Sequence, residues 1–182
     1  AVYYSTNSYT GDIEAFGGSS NTAGFQGGAG TIFTKDDGQT YGDLKVSNNQ
    51  AGPVARTSLN SSQLDIAGLD NITIANDSMV VITTPLIIND RYLTVGNYSY
   101  LNISASMQFP NLENLTIEKN ATFIQDMDLN ASNIKYITTN GTISFSANYT
   151  FNRSMVVDFG DGSIIRHKKN NQSQLYTINL SA

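Results

Sequence analysis

Between residues 60 and 179 the sequence carries thirteen Asn-x-Ser/Thr triplets, the acceptor pattern for N-linked glycans, none with proline in the middle. Their asparagines are Asn60, Asn71, Asn76, Asn97, Asn102, Asn114, Asn120, Asn130, Asn140, Asn148, Asn152, Asn171 and Asn179. From Asn60 onward there are seventeen asparagines, and chance would place Ser or Thr two residues after about three of them. Strand geometry supplies part of the excess, because residues i and i+2 share a face of a strand. An outward Asn and an outward Ser or Thr around an inward apolar residue make a sequon by alternation alone. Asn71-Ile72-Thr73, Asn102-Ile103-Ser104, Asn114-Leu115-Thr116, Asn148-Tyr149-Thr150 and Asn179-Leu180-Ser181 have that form. Alternation accounts for about eight sequons and leaves some over. It also places those amides on the accessible face, where a glycosyltransferase reaches them.

Other chemistry has little to build on. There is no cysteine, which excludes disulfides and thiolate metal sites. The single histidine, His167, stands between Arg166 and Lys168, whose charges disfavour the imidazolium that a Ser-His-Asp triad must form. Asp126 with Asp128, Asp158 with Asp161, and Asp36 with Asp37 are the candidate carboxylate pairs for polysaccharide cleavage, and each reads better as a turn or solvent-facing pair. The segment Asp158–Ser163 lacks the further acidic ligands of a calcium loop and every other element of a kinase. The expectation is a non-enzymatic protein with no catalytic residues, no metal and no cofactor. The alternative is a polysaccharide-binding or polysaccharide-degrading β-helix with a groove lined by Tyr92, Tyr98, Tyr100 and Tyr136.

The elements that must carry these residues are strands. No apolar pattern of helical period is sustained, whereas Leu101 and Ile103, Ile143 and Phe145, and Tyr149 and Phe151 alternate with polar residues. A unit of apolar-Thr-apolar followed by a turn recurs: Ile72-Thr73-Ile74 leads to Asn76, Leu93-Thr94-Val95 to Asn97, Leu115-Thr116-Ile117 to Asn120, and Ile137-Thr138-Thr139 to Asn140. The turn at Asp161 continues the series at nearly the same spacing. That period predicts an all-β chain folded as a right-handed parallel β-helix (solenoid) with coils of roughly 20–23 residues. A β-sandwich is the structural rival. Leu44-Lys45-Val46 with Asn48-Asn49 reads as the same unit at a longer spacing.

The chain reads as one solenoid domain over 1–182, with Gly-rich coils over 1–52 and sequon-rich coils over 53–182. Its abrupt opening on Val2-Tyr3-Tyr4 suggests a fragment of a longer chain. Only 14% of the residues are charged, and the net charge is −5. Arg166–Lys169 is the sole basic run, so nucleic acid is not an expected partner. No stretch approaches the roughly 20 apolar residues of a membrane span.

Asp158-Phe159-Gly160-Asp161-Gly162 resembles the turn of PKD-type surface domains, and Leu175–Leu180 resembles their closing strand. Gly27–Lys35, followed by Gln39–Leu44 and Asn48-Asn49, is similar to repeat regions of very large adhesin-like surface proteins of bacteria and archaea. That resemblance covers about 50 residues and implies a β-helix at the cell surface with no defined activity. The expected function is a structural or adhesive module of an extracellular, N-glycosylated cell-surface protein or filament. Its partners would be covalent N-glycans, neighbouring modules or copies joined through coil ends, and other cell surfaces or polysaccharide.

Overall fold

The computed structural model describes residues 2–5, 10–11, 13–18, 27–48, 55–60, 68–126, 129–130, 134–145, 149–151, 156–167 and 178–180. Every regular element among them is a β-strand. The chain opens with β1 (Val2–Tyr4), β2 (Gly30–Asp36), β3 (Asp43–Ser47), β4 (Thr57–Leu59) and β5 (Gly68–Leu69). It continues with β6 (Asn71–Ala75), β7 (Met79–Ile82), β8 (Leu86–Ile88), β9 (Tyr92–Val95), β10 (Tyr100–Ile103) and β11 (Met107–Gln108). Next come β12 (Asn114–Ile117), β13 (Thr122–Gln125), β14 (Leu129–Asn130), β15 (Tyr136–Thr139), β16 (Thr142–Phe145) and β17 (Tyr149–Phe151). The last three are β18 (Val156–Phe159), β19 (Ile164–His167) and β20 (Ile178–Leu180).

From β3 onward strands three apart in sequence pair in parallel, β14 with β17 alone excepted among the described residues, which makes a β-solenoid and excludes the sandwich. The first sheet runs β3-β6-β9-β12-β15-β18, the second β4-β7-β10-β13-β16-β19, and the third β5-β8-β11-β14, with β17 and β20 paired separately. All three sheets are continuous through the four turns β3–β5, β6–β8, β9–β11 and β12–β14. At the start of the stack β2 runs antiparallel to β3, with Thr34 opposite Asp43 and Gly30 opposite Ser47. The Gly-rich first part therefore joins the stack as a hairpin strand as well as through β3.

Strand alternation builds the core. One inward row of the first sheet stacks Leu44, Ile72, Leu93, Leu115 and Ile137, and the next stacks Val46, Ile74, Val95, Ile117 and Thr139. In the second sheet Val80, Leu101, Phe123 and Ile143 form a fully enclosed row. The third sheet adds Leu69, Leu86, Ile88 and Met107. Each coil thus buries its apolar residues against the coils on either side.

The corner joining the first sheet to the second explains the irregular turn spacing. It has four residues in the coils of β6, β9, β12 and β18: Ala75–Ser78, Gly96–Ser99, Glu118–Ala121 and Gly160–Ser163, the first counted from the last residue of β6. The third of the four is left-handed each time, with φ of 60° at Asp77, 57° at Tyr98, 60° at Asn120 and 81° at Gly162. In the coil of β15 the corner shortens to Asn140 and Gly141. Register sets Leu93 beside Leu115 and Leu115 beside Ile137 at equal separations in sequence, and Ile137 beside Val157 at a separation shorter by the two missing corner positions. Asn76 and Asn97 are therefore equivalent corner positions, whereas Asn120 lies one place later, in the column of Tyr98.

Candidate functional site

The sequon asparagines fall into three structural groups. Asn71, Asn120 and Asn140 are exposed, and their partners Thr73, Thr122 and Thr142 are at least partly so. Asn71 heads β6, where its amide donates to the Asp43 carboxylate at 2.6 Å. Asn120 is held in the left-handed region, which Asn tolerates better than most residues because its short side chain bonds locally. The Asn140 side chain lies over Gly160 of the next coil, occupying the space a Cβ there would need.

Asn76 and Asn97 are exposed too, but the serines that complete their sequons are not. Ser78 and Ser99 fill the inner corner position with 0% and 1% exposure. The Ser78 hydroxyl is engaged by the carbonyls of Ala75 at 2.5 Å and Val46 at 3.2 Å. In the folded chain that hydroxyl is closed to an enzyme that must read it. The third group is Asn102 and Asn114, which face outward by alternation yet are half-buried, each with a buried carbonyl oxygen that makes no hydrogen bond. The expected accessibility of strand asparagines holds for Asn71 and not for these two oxygens. Asn60 is half-buried just after β4. Asn130 and Asn179 lie in β14 and β20, with side chains outside the described residues, as are Asn148, Asn152 and Asn171 altogether.

The four tyrosines do not share one groove. Tyr92 and Tyr136 belong to one outward row of the first sheet, with Asn114 between them in register. They are 57% and 52% exposed. Tyr98 occupies the left-handed corner position, and Tyr100 is a half-buried residue of the second sheet. Just before the first-sheet strands a charged row crosses three coils: Glu113 accepts from Arg91 at 2.9 Å and from Lys135 at 3.1 Å. The Arg91 guanidinium also stands 5.9 Å from the centre of the Tyr92 ring. This row and a threonine row beside the tyrosines were not singled out from sequence, although the repeated apolar-Thr-apolar unit contains the second.

Two aspartates hold loops to the stack. Asp70 accepts from the backbone N–H groups of Tyr41 and Gly42, both at 2.8 Å, which ties the β2–β3 hairpin to the next coil. Burial raises its pKa, but the N–H groups of Gly42 and Tyr41, the Asn89 side chain and the Lys35 charge together carry it below the ordinary carboxylate value. Asp90 is buried and is shifted upward, chiefly by desolvation, against hydrogen bonds from the backbone of Tyr92, Ile72 and Arg91. The signs are opposite. Asp70 contributes stability above the pKa of the unfolded chain and loses it as pH falls through its lowered folded value, whereas the contribution of Asp90 is lost as pH rises. Asp70→Asn is expected to cost about 1 kcal/mol at pH 7, with a gap from the parent that closes as pH falls through the lowered folded value of Asp70. Urea midpoints across that range check it, and a gap that stays constant would remove the charge from the argument.

Among the candidate carboxylates, Asp36 accepts from the Gly38 N–H at 2.7 Å and so builds the hairpin turn. Asp158 and Asp161 are exposed, one ending the outward threonine row and one in the last corner, while Asp128 is outside the described residues. The Asp-Phe-Gly-Asp-Gly segment is the end of β18 with its corner. His167 lies in β19 opposite Phe145, and its side chain is outside the described residues. Among the described residues no three His, Cys, Asp or Glu side chains gather as metal ligands, and no helix is long and apolar enough to cross a membrane.

A parallel β-solenoid with a polar, ordered outer face is the class these features define. The chain matches no known protein-family model, no curated protein and no solved structure.

Proposed function

We propose that this chain is a structural or adhesive module of an extracellular, N-glycosylated cell-surface protein. One observation carries the reading: Asn76, Asn97, Asn120 and Asn140 stand exposed along one corner of four successive coils, each within a sequon. Glycans there would cover a flank of a rod whose surface is poor in charge and would hinder proteolysis and edge-to-edge association. The rod itself serves a spacer or display role without catalysis of its own. At the β18 end Val156, Phe159 and Ile164 are exposed, which supports contact with a neighbouring module or copy through stacking of coils.

In material from its natural source the sequon-bearing peptides of this chain are expected to be heavier than their sequence masses, and enzymatic deglycosylation should remove the excess. Sequon peptides that all run at their bare masses would end the glycan part of the proposal. Glycopeptide mapping is expected to find sugar at Asn71, Asn120 and Asn140 and less at Asn102 and Asn114, which are half-buried with their amide oxygens enclosed. Offered to an oligosaccharyltransferase after folding, the protein should gain no sugar at Asn76 or Asn97, because their serines are closed. Modification there on the native source would mean that sugar is added before the corners form.

A further inference from the structure

The outer face of the first sheet carries an ordered array that the glycosylated-rod reading does not use. Thr73, Thr94, Thr116 and Thr138 stack in register, one per coil, between Lys45 and Asp158. In the adjacent outward row the exposed rings of Tyr92 and Tyr136 stand two coils apart on either side of Asn114. At the strand spacing of a sheet that places them about 10 Å apart along the solenoid. A hollow of about 380 Å³ opens on this face, lined by Asn71, Thr73, Tyr92, Thr94, Asn97 and Glu118. A second, of about 440 Å³, adjoins it through Asn71 and Thr73.

We propose that this face binds an external polysaccharide as an extended chain of pyranose rings lying along the solenoid axis. Two sugars of an extended 1,4-linked chain also span about 10 Å, so every second ring would lie over a tyrosine, in step with every second coil. Tyr rings take the C–H face of a sugar, and the threonine hydroxyls and the amides beside them satisfy its hydroxyl groups. The array is rigid before binding, because β-branched Thr has few rotamers and each strand is fixed by two ladders. The charge pattern selects the ligand class. Arg91 and Lys135 share the carboxylate of Glu113, and Glu118 and Asp158 stand on the same face, so positive charge there is balanced by acids and not laid out as a cationic track for a polyanion. The site needs no glycan on the chain itself, and sugar on Asn71, at the edge of the hollow, would compete with an external chain for this face.

The test uses the whole chain made in a host without N-glycosylation, titrated by calorimetry and by amide NMR shifts with hexamers of 1,4-linked glucose and of 1,4-linked N-acetylglucosamine. At least one hexamer is expected to saturate while its monosaccharide does not, with shifts confined to the rows of Tyr92 and Thr94. Tyr92→Ala and Tyr136→Ala should each weaken binding about 3- to 10-fold and the double variant should abolish it. Thr116→Val, which keeps the strand shape, should weaken it less. Equal thermal midpoints of parent and variants separate lost binding from lost fold. No saturable binding of either hexamer at millimolar concentration would overturn the proposal. So would binding that the double variant retains.

Discussion

Phe123→Ala is expected to lower the free energy of unfolding by about 3–5 kcal/mol. Phe123 is fully enclosed in the inward row between Leu101 and Ile143, its register partners in the coils before and after. Those neighbours cannot close over the gap, because their backbones are fixed by parallel ladders on both sides. The lost ring therefore leaves most of its volume as a cavity. Since a coil touches only the coils beside it, the damage falls on three coils at once and interrupts the stack in its middle. Phe123→Leu, which keeps more of the volume, should lose less. Urea denaturation is the measurement, with the midpoint falling and the slope unchanged. A loss below about 1 kcal/mol would mean that the tube relaxes around the cavity as a close-packed solenoid should not.

The solenoid was legible because each coil repeats the same local division between inward and outward residues. Leu93-Thr94-Val95 and Leu115-Thr116-Ile117 announce a strand with two buried positions, and their recurrence announces stacking. Register was less legible. Matching the repeats on their asparagines sets Asn120 against Asn97, but Asn120 shares its column and its left-handed φ with Tyr98. What recurs at that corner is a backbone conformation, met in turn by Asp77, Tyr98, Asn120 and Gly162, so no residue type marks it. The antiparallel approach of β2 was not legible either, since alternation in Gly30–Asp36 fixes which residues share a face and not the direction of the neighbouring strand.

The outer face shows the same division. Alternation correctly points Asn102 and Asn114 outward, but it cannot say how closely adjacent rows cover them, and their oxygens are enclosed. Tyr98 and Tyr100 are near neighbours in sequence yet lie on a corner and on the second sheet. Tyr92 and Tyr136 share one row because two coils of equal length separate them. Only the register brings them together. The same register brings Arg91, Glu113 and Lys135 into one charged row.

Gly141→Ala is expected to cost about 2–3 kcal/mol although it changes no sequon and no core side chain. The corner at Asn140 and Gly141 is two residues shorter than its neighbours, so the chain cuts inward across the preceding corner. A Cβ on Gly141 would collide with the carbonyl oxygen of Ala121, and would meet that of Glu118 at 2.6 Å and the Ile117 side chain at 3.0 Å. Neither carbonyl can retreat freely. Ala121 accepts from Thr142 at 2.9 Å, and Glu118 accepts from Ala121 at 3.1 Å, so yielding to the methyl breaks the ladder or opens the turn. Thermal unfolding of the variant should show the loss directly, and a parent-like midpoint would mean that the short corner has room the geometry denies. Asn140 and Thr142 remain, which makes the variant informative about function as well. If sugar is attached before the corner forms, occupancy at Asn140 in the natural source should match the parent despite the weaker fold. If attachment requires the folded corner, occupancy should fall with stability.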